Sequence, residues 1–344
     1  MHIARVARAV AICLIAFPVL AVVGCASHPN DEIIIAGKRF HTGAPVVTWK
    51  DPGGYDAYST KPAFPSTTQP AKPGENSPSE QGPYFSARSK LLSKQETEIA
   101  QNGWPPALAR AKIDQFVYHY SVDPCSAATF YTLHDRRGLS VHFMLDIDGT
   151  IYQTLDVTER AWHATKANDR SVGIEIANIG AYPLNDSHHT LDQYYKRDSK
   201  GVYFVVPEKW QKYIRTPNFI PRPARQKPII GEVQGDLYKM YDLTPQQYDS
   251  LIKLTAALCK ALPQIKCDFP RDQYHDLIRH TLTNENYDQY HGLLGHYHVQ
   301  KDKQDPGPAF QWDKVINGAR KRMGLQPLAP GDLVNNPRGA ARGK

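Results

Sequence analysis

Two histidines and an aspartate near the carboxyl end of the chain have the residue types and spacing of a metal site. The segment GLLGHYHVQKDKQDPGPAFQW (292–312) contains His296, His298 and Asp305, and Asp305 begins an Asp-Pro-Gly-Pro sequence that restricts the backbone. Imidazole and carboxylate groups are ligands that Zn²⁺ accepts, and a catalytic zinc site takes three protein ligands and keeps a fourth position open. The segment therefore predicts His296 and Asp305 as two of the three ligands of such a site.

The third ligand is expected from a neighbouring strand. His119 is the best candidate, because QFVYHYS (115–121) is a short β-rich run that ends beside it. A single histidine at a strand end is also typical of a structural residue, so the residue type alone leaves both interpretations open. We also expect HGLLGHYHV (291–299) to be a strand. His298 would then share a face with His296 and could be a ligand or the partner of one.

Hydrophobic periodicity predicts the elements that must position these side chains. The segment 138–155 indicates two strands joined by a turn at Asp148-Gly149, and SVGIEIANI (171–179) indicates another buried strand. The segment 244–262 has apolar residues at helical spacing and begins with Thr-Pro, a helix-capping residue followed by proline. This order of elements predicts an α/β fold with a mixed central β-sheet flanked by helices.

Composition divides the chain into four parts. Residues 1–24 have the pattern of a signal peptide, and 25–105 are expected to form an N-terminal arm that includes a Pro/Ser-rich linker. Ahead of that linker, DEIIIAGKRF and APVVTW indicate short strands that could pack on the main domain. The globular domain is predicted over 106–325, with a long insertion of about 185–240 that carries short elements of its own. Residues 326–344 are predicted to be a flexible tail.

The first residues of the chain predict membrane attachment. Arg5 and Arg8 precede an apolar run that ends in Val-Val-Gly-Cys at Cys25, and this pattern resembles the lipobox of bacterial lipoproteins. Lipidation of Cys25 would anchor the protein to a membrane surface. By the same resemblance, Ala26 favours the outer membrane, so we expect a protein of the cell envelope that faces the periplasm. An ordinary signal peptide or a single anchor helix is the alternative.

Charge and cysteine content restrict the partners and the disulfides. The net charge of +7 suits a surface that faces anionic polymers, but it is diffuse, and no RNA- or DNA-binding motif is present, so we expect no nucleic-acid partner. Cys259 and Cys267 either form a disulfide in an oxidising compartment or remain two buried thiols, and the sequence leaves both alternatives open.

Four segments together resemble one enzyme family. FVYHYS, LSVHFMLDIDGTIYQTLDVTERAWHAT, NDRSVGIEIANIG and LLGHYHVQKDKQDPGPAFQW occur in the order and approximate spacing of the type-2 N-acetylmuramoyl-L-alanine amidases. These zinc amidases share a fold with phage lysozyme-type amidases and peptidoglycan recognition proteins. The resemblance covers about Ala107 to Met323. The insertion and the stretch 266–290 depart from the simplest family members.

The resemblance implies a role for eight residues. It assigns the zinc ligands as His119, His296 and Asp305. It assigns the catalytic groups as Glu175, a general base, and Lys303, which stabilises the oxyanion. It assigns the substrate-binding residues as Trp162 and His163 in the groove wall and Asn168 at the rim.

These assignments suit the chemistry of amide hydrolysis. The reaction needs an activated water, a polarised carbonyl and a proton for the leaving nitrogen, which a metal ion and a carboxylate can supply. An ammonium group aimed at the tetrahedral oxygen stabilises the transition state. Without the resemblance, Glu175 would be interpreted as an edge-strand carboxylate in a salt bridge and Lys303 as one solvated charge in a charged run.

The expected function is zinc-dependent hydrolysis of the amide bond between the N-acetylmuramyl lactyl group and L-alanine of the stem peptide. The expected substrates are peptidoglycan or its muropeptide fragments, in cell-wall turnover or recycling, and we expect a monomer. One alternative is a catalytically inactive peptidoglycan-binding lipoprotein. Another is a lipoprotein tether that binds the wall for structural reasons and needs no metal.

Overall fold

Short strands with buried apolar side chains form the centre of the molecule. The structure, a computed structural model, describes residues 30–64 and 83–330. The strands in these ranges are β1 Glu32–Ile35, β2 Lys38–His41, β3 Val46–Thr48, β4 Phe85–Ser86, β5 Gln115–Tyr120, β6 Phe143–Leu145, β7 Ile151–Gln153, β8 Arg160–Ala161, β9 Ser171–Ile176, β10 Tyr182–Pro183, β11 Tyr195–Asp198, β12 Gly201–Phe204, β13 Ile229–Val233, β14 Asp236–Met240 and β15 Gly292–Gly295. The α-helices are α1 Lys94–Ala100, α2 Pro106–Lys112, α3 Ser126–Phe130, α4 Thr190–Tyr194, α5 Glu208–Gln211, α6 Pro245–Ala261, α7 Asn284–Asp288, α8 His296–Val299 and α9 Trp312–Arg322.

The central sheet has six strands in the order β15-β5-β9-β6-β7-β3. The first four strands are parallel neighbours, the β6–β7 pair is antiparallel, and β3 adds to β7 in parallel. The predicted mixed sheet is therefore confirmed, and so is the hairpin around Asp148-Gly149. Because β15, β5 and β9 run in the same direction, their carboxyl ends meet at one edge of the sheet.

Helices cover both faces of this sheet. Phe143 and Leu145 on β6 lie in a core cluster with α6 and α9, whereas Met144 between them lies in a second cluster with Phe130 of α3. This alternation follows from the period of two along a strand. The predicted start of α6 is also confirmed, since the Thr244 side chain accepts a hydrogen bond from the backbone N–H of Gln247.

The described parts of the predicted N-terminal arm are packed on the domain. β1 and β2 form a hairpin, β3 completes the central sheet, and the Arg88 side chain is fully buried. The short strands predicted for DEIIIAGKRF and APVVTW are therefore confirmed, and so is their packing on the main domain. Cys25, the signal segment and most of the Pro/Ser-rich linker lie outside the described residues, as do 331–344 of the predicted tail.

The predicted insertion carries six short elements, from α4 to β14, and β10 lies just before it. β11 pairs with β12, and β10, β14 and β13 form a three-stranded sheet. Val202 and Phe204 pack against Ile147 and Ile179 of the central domain, so the insertion shares an apolar cluster with it.

Two further sequence expectations are decided by the fold. The predicted last strand ends at Gly295, and His296–Val299 instead form a helical turn. Cys259 and Cys267 are buried free thiols, which matches the second of the two alternatives. In the described ranges, no helix combines the length and apolar character needed to cross a bilayer.

Candidate metal centre and active-site cleft

A cleft of about 560 Å³ opens at the carboxyl ends of β5 and β9. Crevices in this position are where open α/β sheets commonly bind ligands. All eight residues that the family resemblance singled out line this cleft: His119, Trp162, His163, Asn168, Glu175, His296, Lys303 and Asp305. The fold therefore brings together residues that are up to 186 positions apart in the chain.

Three buried side chains converge at the floor of the cleft. The Nδ1 atom of His119 lies 3.0 Å from Nδ1 of His296 and 2.8 Å from Oδ2 of Asp305, and the latter two atoms are 3.1 Å apart. His119 comes from the end of β5, His296 begins α8 directly after β15, and Asp305 closes the loop that follows. Within the described residues these three are the group that could hold a metal ion.

The outer nitrogens of both histidines have acceptors of their own. His296 Nε2 lies 2.8 Å from Oε1 of Gln300, and His119 Nε2 lies 3.0 Å from Nδ1 of His163. His163 Nε2 in turn lies 3.3 Å from Oγ of Ser171. Gln300 Oε1 and His163 Nδ1 can each accept a proton from these Nε2 atoms, which is the tautomer that metal binding through both Nδ1 atoms requires.

The donor set fits a zinc ion. Burial, and then the neighbouring His296, lower the pKa of His119 to about 4. Burial opposes ionisation of Asp305, but His296 and His119 outweigh it and hold the pKa of that carboxyl below its usual range. Ligands bound tetrahedrally at zinc lie about 3.3 Å apart, and the three observed separations are within a few tenths of an ångström of that spacing.

Glu175 is paired with His119 in the register of β9 and β5. Its Oε2 atom is buried and has no hydrogen-bond partner among the described residues. Burial, and then the negative charge of Asp305, raise the pKa of Glu175 well above its ordinary value. A carboxylate of raised basicity that faces a cleft can take a proton from water.

Lys303 lines the cleft on the loop that ends at Asp305. Its side chain is partly exposed, and Nζ lies 3.3 Å from Oδ2 of Asp302. The ammonium group is therefore at the cleft surface, where substrate can approach it, although its present ion pair is with a solvated neighbour. The oxyanion-stabilising role of Lys303 stays a prediction.

The three residues expected to bind substrate have different surroundings. Trp162 is half-buried on the cleft wall. His163 also contacts His119, a relationship that the sequence did not predict. Asn168 uses its Oδ1 atom to accept hydrogen bonds from the backbone N–H groups of His163 and Ala164, at 3.1 and 2.6 Å. It therefore fixes the backbone of His163 as well as lining the cleft.

The alternative that His298 is a ligand is wrong. Because α8 is a helical turn, His298 points away from His296 instead of sharing a face with it. Its Nδ1 accepts a hydrogen bond from the backbone N–H of Gly295 at 2.8 Å, and its Nε2 donates to the carbonyl of Ile278 at 2.7 Å. His298 is fully buried and structural.

Gln300 is a site residue that the sequence reasoning missed. It follows His296 by four residues, and this spacing places two side chains on one face of a helix. A helical interpretation of His296–Val299 would have indicated the pair.

Comparison with known proteins gave one family match. The model of the family described as N-acetylmuramoyl-L-alanine amidase (Amidase_2) matches residues 109–308. This range includes all three candidate metal ligands and both candidate catalytic groups. No curated protein matched the chain.

Several solved structures are similar to this chain at low identity. A Se-Met derivative of AmpD is 17% identical, with 69% of this chain and 90% of that chain covered and a TM-score of 0.32. AmiD from E. coli, solved with anhydro-N-acetylmuramic acid-L-Ala-D-γ-Glu-L-Lys, is 19% identical, with 69% and 64% covered and a TM-score of 0.35. The endolysin LysCS from Clostridium intestinale is 17% identical, with 63% and 88% covered and a TM-score of 0.31.

Proposed function

This chain belongs to the N-acetylmuramoyl-L-alanine amidase family, and we propose that it is a zinc-dependent member. The reaction would be hydrolysis of the amide bond between the N-acetylmuramyl lactyl group and L-alanine of the stem peptide. The observation that carries this proposal is the buried group of His119, His296 and Asp305, whose three donor atoms converge at 2.8 to 3.1 Å beside Glu175.

His119, His296 and Asp305 would hold the metal. A zinc ion in this group would supply Lewis acidity, which polarises the substrate carbonyl and makes water acidic enough to act near neutral pH. The neutral state of His119, which burial favours, and the ionised state of Asp305 are the protonation states that ligation requires.

Glu175 and Lys303 would perform the proton transfer and the charge stabilisation. The carboxylate of Glu175 takes the proton of the attacking water and delivers it to the nitrogen of the departing L-alanine. Lys303 Nζ approaches the carbonyl oxygen as negative charge develops on it. The cleft walls at Trp162, His163 and Asn168 orient the sugar and the peptide on either side of the amide.

We further propose that the enzyme is a monomeric lipoprotein of the cell envelope. Lipid on Cys25 would anchor it to the outer membrane, facing the periplasm, where peptidoglycan and its muropeptides are available for turnover or recycling. The support is the charge and apolar pattern of residues 1–25. Mass spectrometry of the amino-terminal peptide, compared with a Cys25→Ser variant, tests the lipidation.

The catalytically inactive wall-binding lipoprotein is the second candidate. Such a protein does not need a complete set of metal-binding side chains. This chain has all three, and the outer nitrogens of the two histidines are hydrogen bonded. The tether that needs no metal is disfavoured for the same reason.

Digestion of purified peptidoglycan by the purified chain tests the proposal. Mass spectrometry should detect released stem peptides that begin with L-alanine. Release should stop with EDTA, return with zinc and fall in a Glu175→Ala variant. If the protein contains one zinc per chain and binds peptidoglycan without cutting it, the enzyme proposal is wrong and the binding lipoprotein is favoured.

A further inference from the structure

The tip of the β13–β14 hairpin, in the long insertion, reaches the loop that carries two of the candidate metal ligands. Val233 pairs with Asp236, and the two residues between them, Gln234 and Gly235, have φ values of +57° and +90°. Such a two-residue turn with positive φ at both positions normally has Asn, Asp or Gly first. Gln234 is therefore an unusual residue for this position, and its side chain is longer than theirs by at least one carbon.

The amide nitrogen of Gln234 is surrounded by acceptors. Nε2 lies 3.0 Å from the carbonyl oxygen of Tyr297, 2.9 Å from that of Gln300 and 3.2 Å from that of Lys303. It also lies 3.0 Å from Oγ1 of Thr281. The amide oxygen accepts from the backbone N–H of Thr281 at 3.1 Å, which fixes the orientation of the amide group.

The three carbonyl groups belong to one loop, which begins at His296 and ends at Asp305. Helix α8 has four residues, so its last carbonyl groups lack the donors that a longer helix would provide. The backbone N–H of Tyr297 donates to the carbonyl of Asp305 at 3.2 Å and closes the loop. The side-chain NH2 group of Gln234 donates to the carbonyl groups inside this closed loop, which lie between His296 and Asp305 in the chain.

The same residue joins a second segment to the loop. The backbone N–H of Gln234 donates to the carbonyl of Arg279 at 2.8 Å, and Thr281 Oγ1 donates to the carbonyl of Tyr297 at 3.0 Å. The insertion and the stretch 266–290, which both depart from the simplest family members, therefore meet at Gln234 beside the loop that carries His296 and Asp305.

We infer that Gln234 is a positioning residue for the metal centre. By fixing the carbonyl groups of Tyr297, Gln300 and Lys303, it holds the backbone that aims His296 and Asp305 at the same point. It also places Gln300, whose side chain orients His296. One function of the insertion is thus to stiffen the ligand loop without contributing a side chain to the cleft. This inference rests on the proposed function in one respect, which is that the ion bound by His119, His296 and Asp305 is zinc.

Zinc release from the full chain tests this inference. Gln234→Asn and Gln234→Gly both suit a positive φ, so the hairpin turn is retained while the reach of the amide is lost. With an excess of a colorimetric chelator, we expect both variants to release zinc at least about tenfold faster than the wild type, the lower end of the effect of groups that support metal ligands. In the metal-free protein, backbone amides of 296–303 should exchange hydrogen faster in both variants.

Gln226→Ala is the matched control. Gln226 is in the same insertion. Its side chain hydrogen bonds to the backbone of Val202 and Pro223, neither of which belongs to the ligand loop. Its zinc release should equal that of the wild type. Release rates for both Gln234 variants that are indistinguishable from the wild type would overturn the inference, even if thermal stability fell. If the wild type binds no zinc, the proposed function fails, and the exchange of 296–303 alone decides whether Gln234 fixes the loop.

Discussion

His163 Nδ1 lies 3.0 Å from Nε2 of His119, the ring nitrogen that does not face Asp305. When His119 donates its Nε2 proton to His163, its Nδ1 lone pair is available 2.8 Å from the Asp305 carboxylate. Partners of this kind orient metal-binding histidines and increase their basicity. His163 therefore has a second role beside the wall position that the sequence indicated.

Replacement of His163 by Phe should weaken zinc binding. The aromatic ring fills the space but accepts no hydrogen bond, so His119 loses its preferred tautomer and orientation. We expect zinc affinity to fall by about 10- to 100-fold, measured by competition with a chelator. His163→Gln, which offers an amide oxygen, should restore part of this loss. An exposed control, His188→Phe, should have no effect, and equal affinity in all three variants would contradict the assigned contact.

Replacement of Glu175 by Gln should separate catalysis from metal binding. The amide has nearly the shape of the carboxylate but cannot take a proton from water. We expect the rate of stem-peptide release to fall by about 100- to 10,000-fold, while zinc content remains one ion per chain. Full activity in this variant would rule out Glu175 as the general base.

The same substitution should change the pH dependence of stability in the metal-free protein. Burial raises the pKa of Glu175 above its ordinary value of 4.5, so the unfolded chain loses this proton at a lower pH than the folded chain. The carboxylate therefore costs no stability below about pH 4.5 and an increasing amount as pH rises. Glu175→Gln should match the wild type in acid and exceed its free energy of unfolding near pH 7. Chemical denaturation of both proteins at several pH values measures the difference, and parallel profiles would contradict it.

Arg88→Met should destabilise the fold. The buried guanidinium donates to four backbone carbonyls, those of Val157, Asn168, Asp169 and Ser171, at 2.7 to 3.0 Å. Methionine fills a similar volume but leaves these acceptors without their donor. We expect the free energy of unfolding to decrease by about 3 kcal/mol, as measured by urea denaturation. Arg39→Met, which removes an exposed ion pair with Glu32, should change it by less than about 1 kcal/mol.

The sequence predicted the central sheet well because its strands and main helix are encoded locally. The two strands predicted in 138–155, the Asp148-Gly149 turn and the Thr244 cap each depend on residues next to one another in the chain. Residue types and spacing indicated His296 and Asp305, with His119 as the candidate third ligand, and the family resemblance implied all three. The structure brings the three side chains within hydrogen-bonding distance.

Where the sequence reasoning failed, long-range contacts decide the structure. His296–Val299 were predicted as strand because apolar residues precede them, but His298 is held by the carbonyl of Ile278, and this contact is compatible with a helical turn. Arg88 lies beside the Pro/Ser-rich run, so its burial could not be predicted from composition. Gln234 acts on carbonyl groups more than 60 positions away, and no local pattern indicates such a contact.

A crystal structure of the zinc-loaded chain, with anomalous data collected at the zinc absorption edge, tests the central claim most directly. We predict one strong anomalous peak, bound by Nδ1 of His119, Nδ1 of His296 and Oδ2 of Asp305, with Glu175 facing an open position beside it. A zinc ion bound elsewhere, or a protein that hydrolyses peptidoglycan while these three side chains are bonded only to one another, would contradict the account.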